Sequence, residues 1–266
     1  MKESLDYYNN FDVKLINDYV CGNKRIESAI TNLATFIPDD ADNILDIGCG
    51  LGWSTYEFSK HFKEAKILGI DLSPVLIEKA RSLFSNNNLN YEVFDVTKNL
   101  PTIKFDAIIL IDVYEHIPKG ERYKFHNSLK NLLNENGRVI LACPSKFHQS
   151  WLKANNPNGL QPVDEDVDLE IILNFAKDIT GEVVFFEYQK IWNNYDYFYF
   201  VIEMKPSYGT KHIIRSLHKI KLEDQKSRVL RVREKLNVSI DISKESKIGM
   251  LEGLDVFLRK ILRKLE

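Results

Sequence analysis

Cysteine is scarce: Cys21, Cys49 and Cys143 are the only three in 266 residues, too few and too scattered for a disulfide framework or a cysteine metal cluster. This usage points to a reducing cytoplasm. Long apolar runs are lacking, and none approaches the roughly eighteen residues needed to cross a bilayer. The opening residues, 1–8, hold no apolar signal core. Internal repeats and low-complexity blocks are missing as well. There is no overall excess of either charge, with 36 basic residues against 38 acidic ones. That balance hides an asymmetry: residues 1–205 hold 21 basic and 30 acidic side chains, whereas residues 206–266 hold 15 and 8. An acidic body argues against a large nucleic-acid footprint, so no nucleic-acid partner is expected.

What is present is an alternation of strand and helix patterns, which predicts a parallel sheet with crossover helices. With 44% hydrophobic residues, the chain can bury one sizeable α/β core plus an appendage. Strands are expected at 44–47, 66–71, 89–95, 105–111 and 138–143, with helices at 53–62, 75–84, 119–133 and 166–179. Ser73 before Pro74 supplies an N-cap with proline at the first helical position. Asn136-Gly137 is read as a turn into the fifth strand, and 144–164, with Pro157, Gly159 and Pro162, as irregular chain. Two β-rich runs, 181–188 and 195–204, are joined by a short polar turn and read as an antiparallel pair. One or two helices are expected over 15–37. The chain thus divides into an N-terminal helical cap (1–42), an α/β domain (43–205) and a basic helical extension (206–266).

The most informative stretch is Ile44-Leu45-Asp46-Ile47-Gly48-Cys49-Gly50-Leu51-Gly52-Trp53-Ser54-Thr55. A buried strand, a glycine turn and a helix start leave backbone N–H groups uncovered with no Cβ to block approach, which suits a nucleotide-like ligand. A dinucleotide fingerprint would read G-x-G-x-x-G. Here the glycines fall at 48, 50 and 52, with an acid two residues before the first. This pattern resembles the first motif of the class I S-adenosylmethionine-dependent methyltransferases, and the resemblance covers roughly residues 44–204. It implies an α/β, Rossmann-like, seven-stranded, mostly parallel sheet with an antiparallel last strand. Around it would lie the helical N-terminal cap and the helical C-terminal extension. It also implies S-adenosyl-L-methionine as methyl donor and S-adenosyl-L-homocysteine as product.

Ligands in open α/β sheets sit beyond the C-terminal ends of the strands, and four strand patterns here end near an acid: Asp46, Asp71, Asp95 and Asp112. By the resemblance, Asp71 accepts from both ribose hydroxyls, a task that suits a carboxylate. Leu72 packs on the adenine, Asp95 receives the adenine amino group and Val96 adds a backbone contact. Asp46 orients the methionine ammonium beside Gly48, Cys49 and Gly50, while Ile111 and Asp112 complete the cofactor site at the end of the fourth strand. Arg25 is either the guanidinium that some small-molecule members place on the methionine carboxylate or a solvated charge on a helix face. Tyr7 and Tyr8 are read either as a lid over the cofactor or as packing residues.

Asp112-Val113-Tyr114-Glu115-His116 resembles the D-V-x-E-H motif of small-molecule methyltransferases, including those acting on quinone precursors and sugars. Methyl transfer to oxygen requires alignment of the reactants and removal of a proton, and an imidazole with a pKa of about 6.5 suits the second. His116 is the candidate base. Glu115 orients it, binds acceptor hydroxyls or caps the next helix. Asp112-x-x-Glu115-His116 also approaches the E-x-x-E-H metal cluster of RNA 3′-end methyltransferases, but its first ligand is Asp and no further His pair completes the shell, so no metal is assigned. Acceptor recognition is expected from His148, Trp151, Gln161 and Asp164, and from Trp192, Asn193, Asn194 and Tyr195, whose rings and amides suit a hydroxylated acceptor.

The extension reads as two helices, 211–236 and 247–265, with apolar stripes and basic flanks. Packing on the core or a second subunit, adsorption to an anionic membrane and RNA binding compete for it. The leading expectation is a cytoplasmic enzyme that methylates oxygen on a small polar acceptor such as a nucleotide-linked sugar or cell-surface glycan precursor. A quinone or lipid precursor with a membrane-tethering tail, and a non-catalytic cofactor-binding scaffold, are the alternatives.

Overall fold

The apolar run Phe105–Ile111 forms a strand at the middle of the sheet, where Ala107, Ile108, Ile109 and Leu110 are shielded on both faces. The computed structural model describes residues 7, 9, 11–96, 101–209, 213–216 and 219–237. Among them the strands are β1 (Asn43–Ile47), β2 (Lys66–Asp71), β3 (Leu89–Val93), β4 (Phe105–Ile111), β5 (Leu133–Pro144), β6 (Gly181–Gln189) and β7 (Tyr197–Met204). They form one seven-stranded sheet in the order β3-β2-β1-β4-β5-β7-β6. Neighbours from β3 to β5 run parallel, and β7 is antiparallel to both β5 and β6. Six strands therefore point one way and the last points back. This is the Rossmann-like arrangement that the sequence pattern predicts. Strand order reverses between β1 and β4, which opens a crevice at their C-terminal ends.

Alternation along each strand sends its side chains to two separate cores. Ile44, Ile67, Ile109, Ile140 and Val201 face a layer of α1 (Asp12–Cys21), α2 (Lys24–Leu33), α3 (Trp53–His61) and α4 (Pro74–Leu83). Leu45, Leu68, Ile108, Leu141 and Phe200 face α5 (Lys119–Leu132) and, later in the chain, α7 (Leu169–Ile179). Ser73 caps α4 as the sequence predicts, its hydroxyl accepting the Leu76 N–H at 3.3 Å with Pro74 in the first turn. Helix α8 (Gln225–Leu236) lies against the first layer through Val229 and Val232.

Three local expectations need correction. Strand β3 stops at Val93, which leaves Asp95 in the loop beyond it. Asn136 and Gly137 lie inside β5, because the chain leaves α5 directly into the strand and absorbs the irregularity as a register shift against β4. Residues 144–164 are not irregular throughout: Ser145 caps a helix, α6 (Lys146–Asn155), and a 3-10 turn follows at Pro157–Gly159. The breakers Pro157, Gly159 and Pro162 all fall after α6, beyond the end of the helix at Asn155. In the extension, α8 occupies only the end of the expected first helix. The expected helix at 247–265, like Tyr8, lies outside the described residues.

Candidate functional site

A cavity of about 320 Å³ occupies the crevice at the C-terminal ends of β1, β2 and β4. Its floor is the glycine loop after β1. Gly48 and Gly52 adopt φ of +66° and +86°, in the left-handed region that disfavours a side chain. A Cβ on Gly48 would stand 2.5 Å from Val113 Cγ2, so the loop rests directly on the segment that follows β4. Asp71, at the end of β2, steadies the loop. Its Oδ2 accepts the Gly50 N–H at 2.9 Å and its Oδ1 accepts the Ser73 N–H at 2.8 Å. Burial pushes the Asp71 carboxyl above its ordinary value, and these N–H donors pull it back.

Asp71, Gly48, Cys49, Gly50, Leu72, Asp95, Val96, Ile111, Asp112 and Arg25 all line the cavity. Asp46 does not. It is buried behind the glycine loop, where its Oδ2 accepts from Ser54 Oγ at 2.6 Å and Thr55 Oγ1 at 2.7 Å. Burial raises it to about 6, against the pull of those hydroxyls. It therefore ties the first turn of α3 to β1.

Arg25 reaches the cavity wall from α2. Its Nε lies 3.3 Å from Asp112 Oδ2, and its Nη1 donates to the Tyr197 hydroxyl at 3.1 Å. Burial opposes its charge, but Asp112 and Tyr197 more than compensate and hold the guanidinium protonated. Asp112 pays for its place with a φ of +54°, uncommon outside glycine but tolerated by aspartate.

The D-V-x-E-H segment follows β4 as a 3-10 turn, Tyr114–His116. His116 lines the cavity, whereas Glu115 is buried beside it. The His116 Nδ1 is 2.6 Å from the Val163 carbonyl oxygen. A carbonyl only accepts, so this contact assigns the ring proton to Nδ1 and the lone pair to Nε2. Two carboxylates flank the ring: Glu115 Oε1 is 3.7 Å from Nε2, and Asp164 Oδ1 is 3.7 Å from Nδ1. Burial lifts Glu115 to about 7, opposed by His116, while the Cys143 thiol donates to its Oε2 at 3.3 Å. Asp164 is held by Gln149 Nε2 at 2.9 Å and by the Gln161 N–H at 2.9 Å.

Of the acceptor candidates, Gln161 lines the cavity and Asp164 stands behind it. His148, Trp151, Trp192 and Tyr195 lie outside it, on α6 and the β6–β7 loop. Phe11 and Leu15 at the start of the cap, Phe94 after β3, and Val163 also line the cavity and were not singled out from the sequence. Their apolar identity gives no signal that separates them from core residues. Tyr7 carries a pKa raised chiefly by burial. Among the described residues, no group of three His, Cys, Asp or Glu could hold a metal ion, and no helix is long and apolar enough to cross a membrane.

The residues lining the cavity suit S-adenosylmethionine chemically. Apolar Leu72, Phe94 and Val96 line the cavity together with two acids, Asp71 and Asp95, the glycine backbone that Asp71 holds, and Arg25. Comparison with known proteins agrees. Residues 44–137 match a family described as Methyltransferase domain. Malonyl-[acyl-carrier protein] O-methyltransferase 1 of Ilyobacter polytropus is 33% identical over 101 residues, 38% of this chain and 37% of that protein. Trans-aconitate 2-methyltransferase of Escherichia coli O157:H7 is 28% identical over 130 residues, 49% of this chain and 48% of that protein. The chain thus spans about two fifths to a half of the length of these curated relatives. Among solved structures, magnesium protoporphyrin IX methyltransferase of Synechocystis PCC 6803 with bound SAH superposes with a TM-score of 0.56 at 17% identity, over 76% of this chain and 98% of that one. A TehB-like SAM-dependent methyltransferase of Corynebacterium glutamicum gives 0.55 at 18% identity, over 75% and 99%.

Proposed function

We propose that this chain, which carries a methyltransferase domain on the class I fold, moves a methyl group from S-adenosylmethionine to an oxygen of a small polar acceptor in the cytoplasm. The favoured acceptor class is a nucleotide-linked sugar or another glycan precursor. When bound, S-adenosylmethionine supplies an already activated methyl group on a sulfonium, and S-adenosylhomocysteine is what remains. Asp71 would accept from the ribose hydroxyls, Leu72 and Val96 would enclose the adenine with Asp95 at its amino edge, and Arg25 would meet the methionine carboxylate beside Gly48 and Gly50. This chain must then align the acceptor and remove its proton.

The observation that carries the reading is the anchored His116 ring. With Nδ1–H fixed on the Val163 carbonyl, Nε2 is the proton-accepting nitrogen of a ring that lines the cavity. As the acceptor oxygen bonds to carbon, its proton passes to Nε2. The imidazolium formed lies 3.7 Å from Asp164 Oδ1 and 3.7 Å from Glu115 Oε1, so it forms between two carboxyl groups already in place. A second reading draws on the relatives: malonyl and trans-aconitate groups both carry carboxylates, which need no base. Partitioning separates small polar acceptors from lipids. Methyl transfer from radiolabelled S-adenosylmethionine into a deproteinised extract should place label in the aqueous small-molecule fraction. Label in the organic phase would overturn the polar acceptor and promote a quinone or lipid precursor, with the basic tail as tether. Chelator should leave the rate unchanged, because Asp112 is engaged by Arg25 and Glu115 is buried. Lost activity in chelator would contradict that.

A further inference from the structure

We propose that the aromatic face formed by α6 and the β6–β7 loop is a saccharide subsite, holding neutral sugar rings that extend from the acceptor beyond the cavity. The proposal rests on the reading of the chain as a methyltransferase of a polar acceptor. Phe147, Trp151, Trp192 and Tyr195 are 53%, 55%, 50% and 58% exposed, an unusual concentration of large rings in water. The rings are ordered among themselves. His148 lies near-parallel to Trp151, at 24° and 6.5 Å between centroids, and to Trp192, at 29° and 6.3 Å. Phe147 stands 6.1 Å from Tyr195.

The presentation is built into the fold. Buried Asp196 accepts the backbone N–H groups of Ile191, Trp192 and Asn193 at 3.0, 2.7 and 2.9 Å, pinning the loop. Tyr195 is held at φ +64°, with its carbonyl accepting from Ser145, the residue that caps α6. A strained backbone fixed by buried hydrogen bonds keeps Trp192 and Tyr195 turned outward.

Two links join this face to the cavity. Tyr197, 5.9 Å from the His148 ring and 6.2 Å from Trp192, accepts from Arg25 on the cavity wall. One turn of α6 carries both His148 and Gln149, and Gln149 holds Asp164 beside His116. The face therefore adjoins the acceptor end of the cavity, away from the Asp71 end.

Its chemistry selects the occupant. Every exposed large apolar side chain of α6 and this loop is aromatic, with no exposed aliphatic side chain of the kind that greets a lipid tail. Asn193 and Asn194 add amides within the loop, and on α6 Lys146 and Lys153 are paired with Asp168 and Asp166, while Lys190 at the start of the loop is exposed and Lys24 Nζ donates to the Ile191 carbonyl. Electron-rich ring faces attract the partly positive C–H face of a pyranose, and amides bind its hydroxyls. Rings and amides together suit a sugar.

The test is equilibrium binding to a printed array of neutral oligosaccharides, two to six units long, beside their monosaccharides, with S-adenosylhomocysteine present. Cofactor affinity is measured separately by calorimetry. Oligosaccharides should be retained over monosaccharides, and Trp151→Ala and Trp192→Ala should each weaken retention about tenfold, the equivalent of one stacked ring. S-adenosylhomocysteine affinity and thermal midpoint should stay within error, since both rings are exposed. No retention of any oligosaccharide by protein that binds S-adenosylhomocysteine would overturn the subsite and leave the methyltransferase reading standing. Retention unaffected by either substitution would overturn it too. Failure to bind S-adenosylhomocysteine would instead strike the methyltransferase reading itself.

Discussion

Glu115 is the residue whose environment departs furthest from its sequence appearance. Its motif neighbours mark it as catalytic, yet it is buried against Cys143, with its carboxyl raised from an ordinary 4.5 to about 7. Between those values the folded protein holds a proton that the unfolded chain has released. Its contribution to stability is thus complete below about pH 4.5 and is lost as pH rises toward 7. Glu115→Gln should therefore gain on the parent as pH rises from 5 to 8, by at most about 3 kcal/mol. Urea unfolding at several pH values checks this, and a pH-independent difference would contradict it. Asp112 faces the opposite problem, because removing it strands the partly buried Arg25 cation. Asp112→Ala should cost about 1–3 kcal/mol by urea unfolding, and Asp112→Asn less, because asparagine keeps an acceptor and tolerates positive φ. Equal losses would show that the pairing is unimportant.

The strands and the glycine loop were legible in the sequence because period-two burial and positive-φ turns are local demands. Helix α6 was obscured by Pro144 before it and the breakers after it. What no local pattern could show is which strand ends converge, or that Asp46 takes Ser54 and Thr55 of the next helix as hydroxyl partners. Nor could it show what α8 grips. Arg231 lies 4.6 Å over the Tyr56 ring and 5.6 Å from Phe84, and it binds Glu223 at 2.6 Å. Arg228 lies 4.9 Å over Trp53 and binds Glu27 of α2 at 2.8 Å. Through Tyr19, whose hydroxyl accepts from Arg231 at 3.2 Å, α8 also braces α1, and α1 supplies Leu15 to the cavity. Arg231→Ala should lower stability by about 2 kcal/mol and weaken S-adenosylhomocysteine binding as well. Arg231→Lys should not restore it, since an ammonium cannot both stack and fork. Calorimetry that finds unchanged cofactor affinity in a destabilised Arg231→Ala would separate α8 from the cap.

At the scale of the whole molecule, the described part of the basic extension and the acidic body are one construction: Glu27, Glu57 and Tyr19 of the body receive a segment rich in arginine. The sheet's switch point sets the cavity, the cap closes one side of it, and the His116 turn borders the acceptor side. That division of labour makes one comparison decisive. Parent protein and His116→Gln are given radiolabelled S-adenosylmethionine and the same aqueous extract, with cofactor affinity measured on both. The account predicts label on a polar small molecule with the parent, a loss of about 10²–10⁴-fold with His116→Gln, and equal cofactor affinity. Equal transfer by the two proteins would contradict it, removing the base and leaving an acceptor that arrives already deprotonated.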